Sequence, residues 1–469
     1  MISRTLEEGF GPNWAGERLR VMTLAAQDRI QAGGAVEDAS PNRLLIALFI
    51  VSLVMPFFFF LGGLRLSVYR LYLLVFAVLF FVRWVNGSAG KIRAPDILVI
   101  TASLWMMMAM FVNHGISAQW QFAGILVIET VVPYLAARVL IRSLASFQAF
   151  VRWYFLVVAV LLPFALYENM TGTPILLKTF RGVFSVYFDV HQEPRLGLER
   201  AQATMPHPIL FGVFCAPAFA LSWYTLNPEA GLFKRARRPF LVGVAVFSSL
   251  SSGAFMGVLL QAFLIGWDEV LKTVKNRWKI FLVLFGILYV ILELASNRNA
   301  FQIIATELTF SPGSAWNRIH IFNNAIDDVF ANPIFGLGLR DWTRPHWLRA
   351  SVDNFWLLLA MRYGIIAWFL LSLTTILICW KAITAPLTGL IAGIRRGYLI
   401  AFISMIVSAF TVHLWDATYC LFMFMMGAGV WLSDPDCTQD DEDKDTPPET
   451  RSREIRYTRF PHTDAASLR

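Results

Sequence analysis

A chain of 469 residues that is 57% hydrophobic, only 15% charged and carries 40 Phe and 16 Trp in long apolar runs has the composition of a polytopic membrane protein, not of a soluble enzyme. Its formal charge of +8 does not point to nucleic acid, because Lys and Arg cluster in short segments between apolar runs, where topology accounts for them. The four cysteines, Cys215, Cys379, Cys420 and Cys437, fall in apolar runs or in the final tail, which excludes a disulfide framework and a zinc spacing.

In chain order, residues 1–43 are polar, mix Glu and Asp with Arg, and lack the apolar core of a cleaved signal peptide; they are read as a cytoplasmic N-terminal segment. Runs long enough to span follow near 44–64, 66–85, 96–112, 120–140, 150–168, 208–226, 278–296, 353–376, 397–413 and 417–433. A further stretch, 240–267, is interrupted by SSLSSG at 248–253. KRARR precedes it and Lys272, Lys275, Arg277 and Lys279 follow, so both flanks belong on the cytoplasmic side and the stretch must cross an even number of times. It is read as two short helices meeting at the Ser-Gly break.

The expected fold is therefore an all-α polytopic membrane protein with about twelve transmembrane helices, a transmembrane domain over 44–433 and both termini cytoplasmic. Loops 83–93, 138–152, 227–239, 268–279 and 380–396 carry 3, 3, 4, 4 and 3 Lys or Arg, whereas the short loops of the other side carry only Arg65. That asymmetry places the two long polar loops, 169–207 and 297–352, outside. The tail 434–469 combines DDEDKD with RSREIRYTR and reads as disordered and cytoplasmic.

The first long loop ends in EPRLGLERAQATMPHPILFG, with Arg195, Arg200 and His207 just before a span. Two forked, permanently charged donors suit phosphate oxygens, and they equally suit lipid headgroups or an ion pair with Glu193 and Glu199. In the second loop, Trp316, Ile319, Phe322, Ile326 and Val329 recur at helical spacing, an amphipathic helix carrying Asn317, Arg318, His320, Asn324 and Asp327 on its polar positions. His320 with Asp327 and Asp328 lacks a second histidine at ligand spacing, so no metal is assigned, and the GLG of 336–338 is too short for a nucleotide fingerprint.

SVDNFWLLLAMRYG at 351–364 opens a span with Asp353 and Asn354 at its mouth and Arg362 roughly 13 Å deeper. Nine residues at 100° put Asp353 and Arg362 on opposite faces. Arg362 is expected to pair with an embedded carboxylate, Glu129, Glu168 or Glu293, and Asp353 to serve either chemistry or an N-cap.

RLGLERAQATMPHPILFG, LSSGAFMGVLL, NRIHIFNNAIDDVFANPIFGLGLRDW and VDNFWLLLAMRYG, in that order among about twelve spans, resemble the O-antigen ligase and polysaccharide polymerase family of bacterial inner membranes, in its exopolysaccharide-polymerase-like branch. The resemblance implies a class C type glycosyltransferase that uses undecaprenyl-pyrophosphate-linked glycans as donor and acceptor on the periplasmic face, without a metal or other cofactor. It also implies a chain-length regulator as partner and no nucleic acid. Carried over by motif, Arg195, Arg200 and Arg318 would hold pyrophosphate and Asp353 would activate the acceptor hydroxyl, with Asn354 beside it. Ligases of the family show His-Asn where this chain has Asp353-Asn354, and its Ser-Arg-Gly motif reads Ser251-Ser252-Gly253 here, leaving a phosphate-binding role for Arg340 or Arg344. His207, His320 and His346 are rival bases, and an O-antigen ligase or a polysaccharide flippase are the other functions such a chain would fit.

Overall fold

A computed structural model describes residues 39–295 and 312–433. The N-terminal segment up to residue 38, residues 296–311 of the second long loop and the tail from 434 onward lie outside the described residues. The first half runs α1 (Ala39–Val54), a hairpin of β1 (Phe57–Leu61) and β2 (Leu64–Ser67), α2 (Val68–Val85), α3 (Ala94–His114), α4 (Ile116–Leu140), α5 (Leu144–Thr171), α6 (Ile175–Arg181) and β3 (Ser185–Val186). The second half has α7 (Pro208–Cys215), α8 (Ala218–Thr225), α9 (Leu232–Ser248), α10 (Ser252–Val270), α11 (Arg277–Ala295), α12 (Pro312–Ala331), α13 (Phe355–Thr384), α14 (Gly389–Ser408) and α15 (Asp416–Val430).

Among the described residues nine helical segments are long and apolar enough to cross a membrane, with α7 and α8 counted as one. The helices α1, α9 and α15, at 16, 17 and 15 residues, are shorter. α4 is the hub, packed against α15, α3 and α2, while α5 packs on α1 and α9 and α14 on α8 and α10. Aromatic rings fill the centre: Phe49 stacks on Phe424 at 4.6 Å and Phe402 on Phe422 at 5.6 Å. α11 is apolar all round and buries none of its residues, as expected of a helix whose neighbour is lipid rather than protein.

Buried charge is fully compensated near the α3 start. Asp96, at 0% exposure, accepts from Arg138 Nε at 2.8 Å, from the Tyr134 hydroxyl at 2.6 Å and from Trp84 Nε1 at 3.3 Å. Breaking such a set costs more than the pair itself is worth, since it strands a buried charge.

Three predicted spans are remodelled. The run 44–64 stops being helical at Val54, because Pro56 has no N–H for a helix and Gly62-Gly63 forms a two-residue loop with Leu61 opposite Leu64. The run 208–226 breaks between α7 and α8 at Ala216-Pro217, where proline removes a donor. Gln261 of α10 repairs that gap, donating to the Ala216 carbonyl at 2.9 Å and accepting from Ala220 N at 3.0 Å.

The third is α13, whose Gly364 has φ +85° and ψ 168° and so is not helical. The segment 333–338 docks into the break: Ile365 N donates to Pro333 O at 2.7 Å, Leu337 N to Met361 O at 2.7 Å and Gly338 N to Arg362 O at 3.0 Å. Trp105 Nε1 of α3 reaches both Ile334 O and Tyr363 O at 3.2 Å. By contrast, the predicted break in 240–267 is where it was expected, with α9 and α10 meeting at Ser249–Ser251. Leu250 turns that corner with φ +46° and is fully buried.

The amphipathic helix of the second loop is α12; of its expected stripe Ile319 and Val329 are buried and Ile326 half-buried, and Val329 continues a row with Ile321 and Ala325 that clusters with Leu357, Leu358 and Met361 of α13. Trp316 and Phe322, expected on that stripe, are 40% and 47% exposed. The small Ala325 side chain lets the i, i+4, i+8 row approach α13, and the bulky rings turn away.

Candidate functional site

At the end of the bundle where α14 finishes and α13 and α15 begin, three loops and α12 converge. The first loop presents Arg195 from a tight turn: Arg195 and Leu198 exchange backbone hydrogen bonds at 2.9 and 3.0 Å, and the two residues between them, Leu196 and Gly197, have φ +54° and +75°. Positive φ at both central positions is the turn that fits hairpin twist, and leucine rather than glycine there is strained.

The carbonyls that α9 leaves unpaired at its C-terminal end are taken up by this loop. Ser248 O accepts from Asn169 Nδ2 at 2.6 Å and from Ala201 N at 3.1 Å, Ser249 O from Arg200 Nε at 3.3 Å, and Leu250 O from Arg195 Nη1 at 2.7 Å. Guanidinium groups at a helix C-terminus also meet the negative end of its dipole. Glu168 secures the next residues, accepting from Gln202 N at 3.0 Å and Ala203 N at 2.9 Å.

Arg318 of α12 enters from the other side and donates through Nε to Thr411 O at 3.0 Å. Each arginine thus spends only part of its fork on neutral acceptors: Arg200 adds a bond to Gln192 Oε1 at 3.3 Å, and the remaining N–H groups stay available. Among the described residues none of the three forms an ion pair, so the expected alternative of pairing with Glu193 and Glu199 is not what is observed. The crowded positive charge registers electrostatically. Burial, then Arg195 and Arg318, lower Arg200 to about 10, and burial lowers Arg195 and Arg318 as well, opposed by Glu193 at the first and by Asp353 at the second.

Asp353 faces Arg318. Burial raises its carboxyl above the ordinary range, opposed by Arg318 and Arg349, and among the described residues it accepts no hydrogen bond. Asn354, not Asp353, is the N-cap of α13, its side-chain oxygen accepting from Leu357 N at 3.0 Å. His207 is the N-cap of α7: Nδ1 accepts from Ile209 N at 3.1 Å. Burial and Arg200 push His207 down to about 4, so the ring is neutral, its proton is assigned to Nε2 by that bond, and it offers a donor instead of a lone pair.

Arg195, Arg200, Arg318, Asp353 and His207 therefore share one site. Arg340 does not join it: it donates to Asn113 Oδ1 at 3.0 Å and Leu337 O at 3.1 Å, pinning the GLG turn to α3. Arg344 pairs with Asp341 and caps Leu348 O, and His346 is exposed. His320, two residues from Arg318 and so about 200° round α12, packs its ring between Trp316 and Trp347 at 6.2 and 5.2 Å. Arg362 forms no ion pair with an embedded glutamate among the described residues; Glu129 is held by Arg70 at 2.7 Å and Glu168 by backbone.

Sequence reasoning missed most of the loop 409–415, whose residues 409–413 it assigned to the span 397–413. That loop supplies Thr411 O to Arg318, and Ala409 O and Val412 O to Phe355 N at 2.8 and 3.2 Å. It also supplies His413, which burial and then Arg362 push down to about 3, and Trp415, whose ring lies 6.4 Å from that of His207. The polar pair His413 and Asp416 inside otherwise apolar sequence was the available signal. No protein-family model and no curated protein matches the chain.

Proposed function

We propose that the chain is an inner-membrane glycosyltransferase that polymerises undecaprenyl-pyrophosphate-linked oligosaccharide repeat units into a surface or secreted polysaccharide, with this site on the periplasmic face. The observation that carries the reading is the meeting of Arg195, Arg200 and Arg318, each bonded to a backbone carbonyl and, among the described residues, none in an ion pair. A pyrophosphate leaving group gathers negative charge as the glycosidic bond breaks, and fixed guanidinium donors in a water-poor site stabilise it. Asp353, beside Arg318, takes the proton of the attacking hydroxyl, giving inversion at the anomeric carbon, and His207 donates to substrate oxygen.

Twelve crossings with both termini in the cytoplasm follow from the Lys and Arg asymmetry and the helix pair at Ser249–Ser251. Asp353 where ligases carry histidine favours polymerisation over transfer to lipid A. Transport is disfavoured because the breaks in α7–α8 and α13 are bridged by Gln261 and by residues 333–338, which occupy backbone groups that an ion or substrate would otherwise use.

Gene deletion followed by analysis of lipid-linked glycans tests the reading. Single repeat units accumulating on undecaprenyl pyrophosphate are expected. Long chains unattached to lipid A would instead mean a ligase, and units trapped on the cytoplasmic leaflet a flippase. The pH profile tests the base. Asp353 must be ionised to act, and Arg349 lowers its pKa, so Arg349→Gln should move the acid limb of kcat/KM to higher pH while leaving the arginine triad intact. An unmoved limb would remove Asp353 from the role.

A further inference from the structure

Beside the arginine site lies a cleft of about 560 Å³ that the phosphate chemistry leaves unused. Arg65, Arg70 and Asp416 line one part of it and Tyr187, Phe188 and Trp415 another. Trp415, within 6.4 Å of the His207 ring, joins the cleft to the site.

The charged wall is balanced. Arg65 Nη2 pairs with Asp416 Oδ2 at 3.0 Å, Arg70 Nη2 with Asp416 Oδ1 at 3.2 Å and Arg70 Nε with Glu129 Oε1 at 2.7 Å. The Tyr69 hydroxyl donates to Glu129 at 2.8 Å. Two guanidinium groups thus meet two carboxylates in direct ion pairs, whereas the arginines next door form none among the described residues. Asp416 holds its place between the arginines with φ +51°, a conformation that costs a non-glycine residue energy and is kept where position matters.

A neutral wall has no general pull on anions, yet it is dense in directional donors and acceptors. The Arg65 guanidinium already lies over the Tyr187 ring at 5.3 Å, so the open apolar face is that of Phe188, 86% exposed, with Trp415 also lining the cleft. A ligand with an apolar face and a hydroxylated edge satisfies both parts at once, which describes an uncharged pyranose ring. A polyprenyl chain would leave the ion pairs unused, and a uronate would find both guanidinium groups already engaged by Asp416 and Glu129.

We infer that the cleft is the acceptor subsite and that it takes an uncharged pyranose of the glycan whose hydroxyl attacks; the inference rests on the glycosyltransferase reading. The test uses the full chain in lipid nanodiscs carrying Val190→Cys, a partly exposed cleft-lining position outside both the ion pairs and the aromatic faces. The rate at which a membrane-impermeant maleimide modifies the introduced thiol is read by peptide mass spectrometry. Methyl glucoside, galactoside and mannoside are compared with glucuronate and galacturonate. At least one neutral pyranoside should slow modification about threefold, as when ligand stands at twice its Kd, and the uronates should not.

Adding Trp415→Ala should abolish that protection while inorganic pyrophosphate still raises the melting temperature. Modification unaffected by every neutral pyranoside, slowed equally by uronates, or slowed only by added polyprenyl phosphate would overturn the inference. In the protein that keeps Trp415, absence of sugar protection with pyrophosphate stabilisation intact sinks the cleft assignment alone. The reverse pattern sinks the phosphate reading and leaves the cleft.

Discussion

With glutamine in place of both Arg200 and Arg318, inorganic pyrophosphate no longer raises the melting temperature of the protein, and polymer formation from lipid-linked repeat units falls by about 10³-fold or more. Each preorganised donor at a developing negative charge is worth on the order of 10²–10³ in rate, so losing two exceeds what one residual arginine can supply. Comparing each protein with and without pyrophosphate separates binding from folding, because a merely destabilised variant would still respond to the ligand. The two residues approach from different elements, Arg200 from the first long loop and Arg318 from α12, and each lowers or feels the charge of its neighbours. Undiminished stabilisation by pyrophosphate in the double variant would show that the anion binds elsewhere.

Gly364→Ala unfolds or severely loosens the protein, with a loss of roughly 3 kcal/mol or more and a lower melting temperature in nanodiscs. Two independent costs add. Alanine resists φ +85°, and its Cβ would collide with the carbonyl of Ile334, which is backbone and cannot swing aside. Gly336, at φ +65°, meets the carbonyls of Met361 and Arg362 in the same way from the opposite segment. Gly266→Ala is the control: it sits inside α10 with nothing within 4 Å of an added Cβ, so it should be neutral or stabilise by about 0.5–1 kcal/mol. A wild-type melting temperature for Gly364→Ala would mean that residues 333–338 do not dock into α13.

Which parts of this were legible in the sequence follows from what periodicity and charge can encode. Apolar run length found the helices, and flanking Lys and Arg found the α9–α10 break, because both are properties of the chain alone. The β-hairpin at 57–67 was hidden because four phenylalanines satisfy a span and a strand equally. Pro56 and Gly62-Gly63 were the only discriminating marks. Arg195, Arg200 and Asp353 were legible as candidates that each also had a local reading as headgroup contact, ion pair or N-cap, and Arg318 entered through the motif resemblance. Arg340 and His320 looked alike in sequence, yet one is consumed by Asn113 and the other faces away on α12, facts set by tertiary partners and helical phase. Asn354 was legible as polar but not as the cap, since only backbone geometry distinguishes it from Asp353.

The serine-rich corner at 248–251 carries one more consequence, and it concerns entropy. A run of small residues ordinarily means a floppy linker, yet here Ser248, Ser249 and Leu250 each offer a carbonyl to the opposing loop, and two of the three are met by arginine. An arginine side chain has about 2 kcal/mol of rotamer freedom to lose when it is fixed on a ligand. Arg195 and Arg200 have surrendered much of theirs already, during folding, to the end of α9. A doubly charged guest arriving at this corner therefore finds its hosts already standing still.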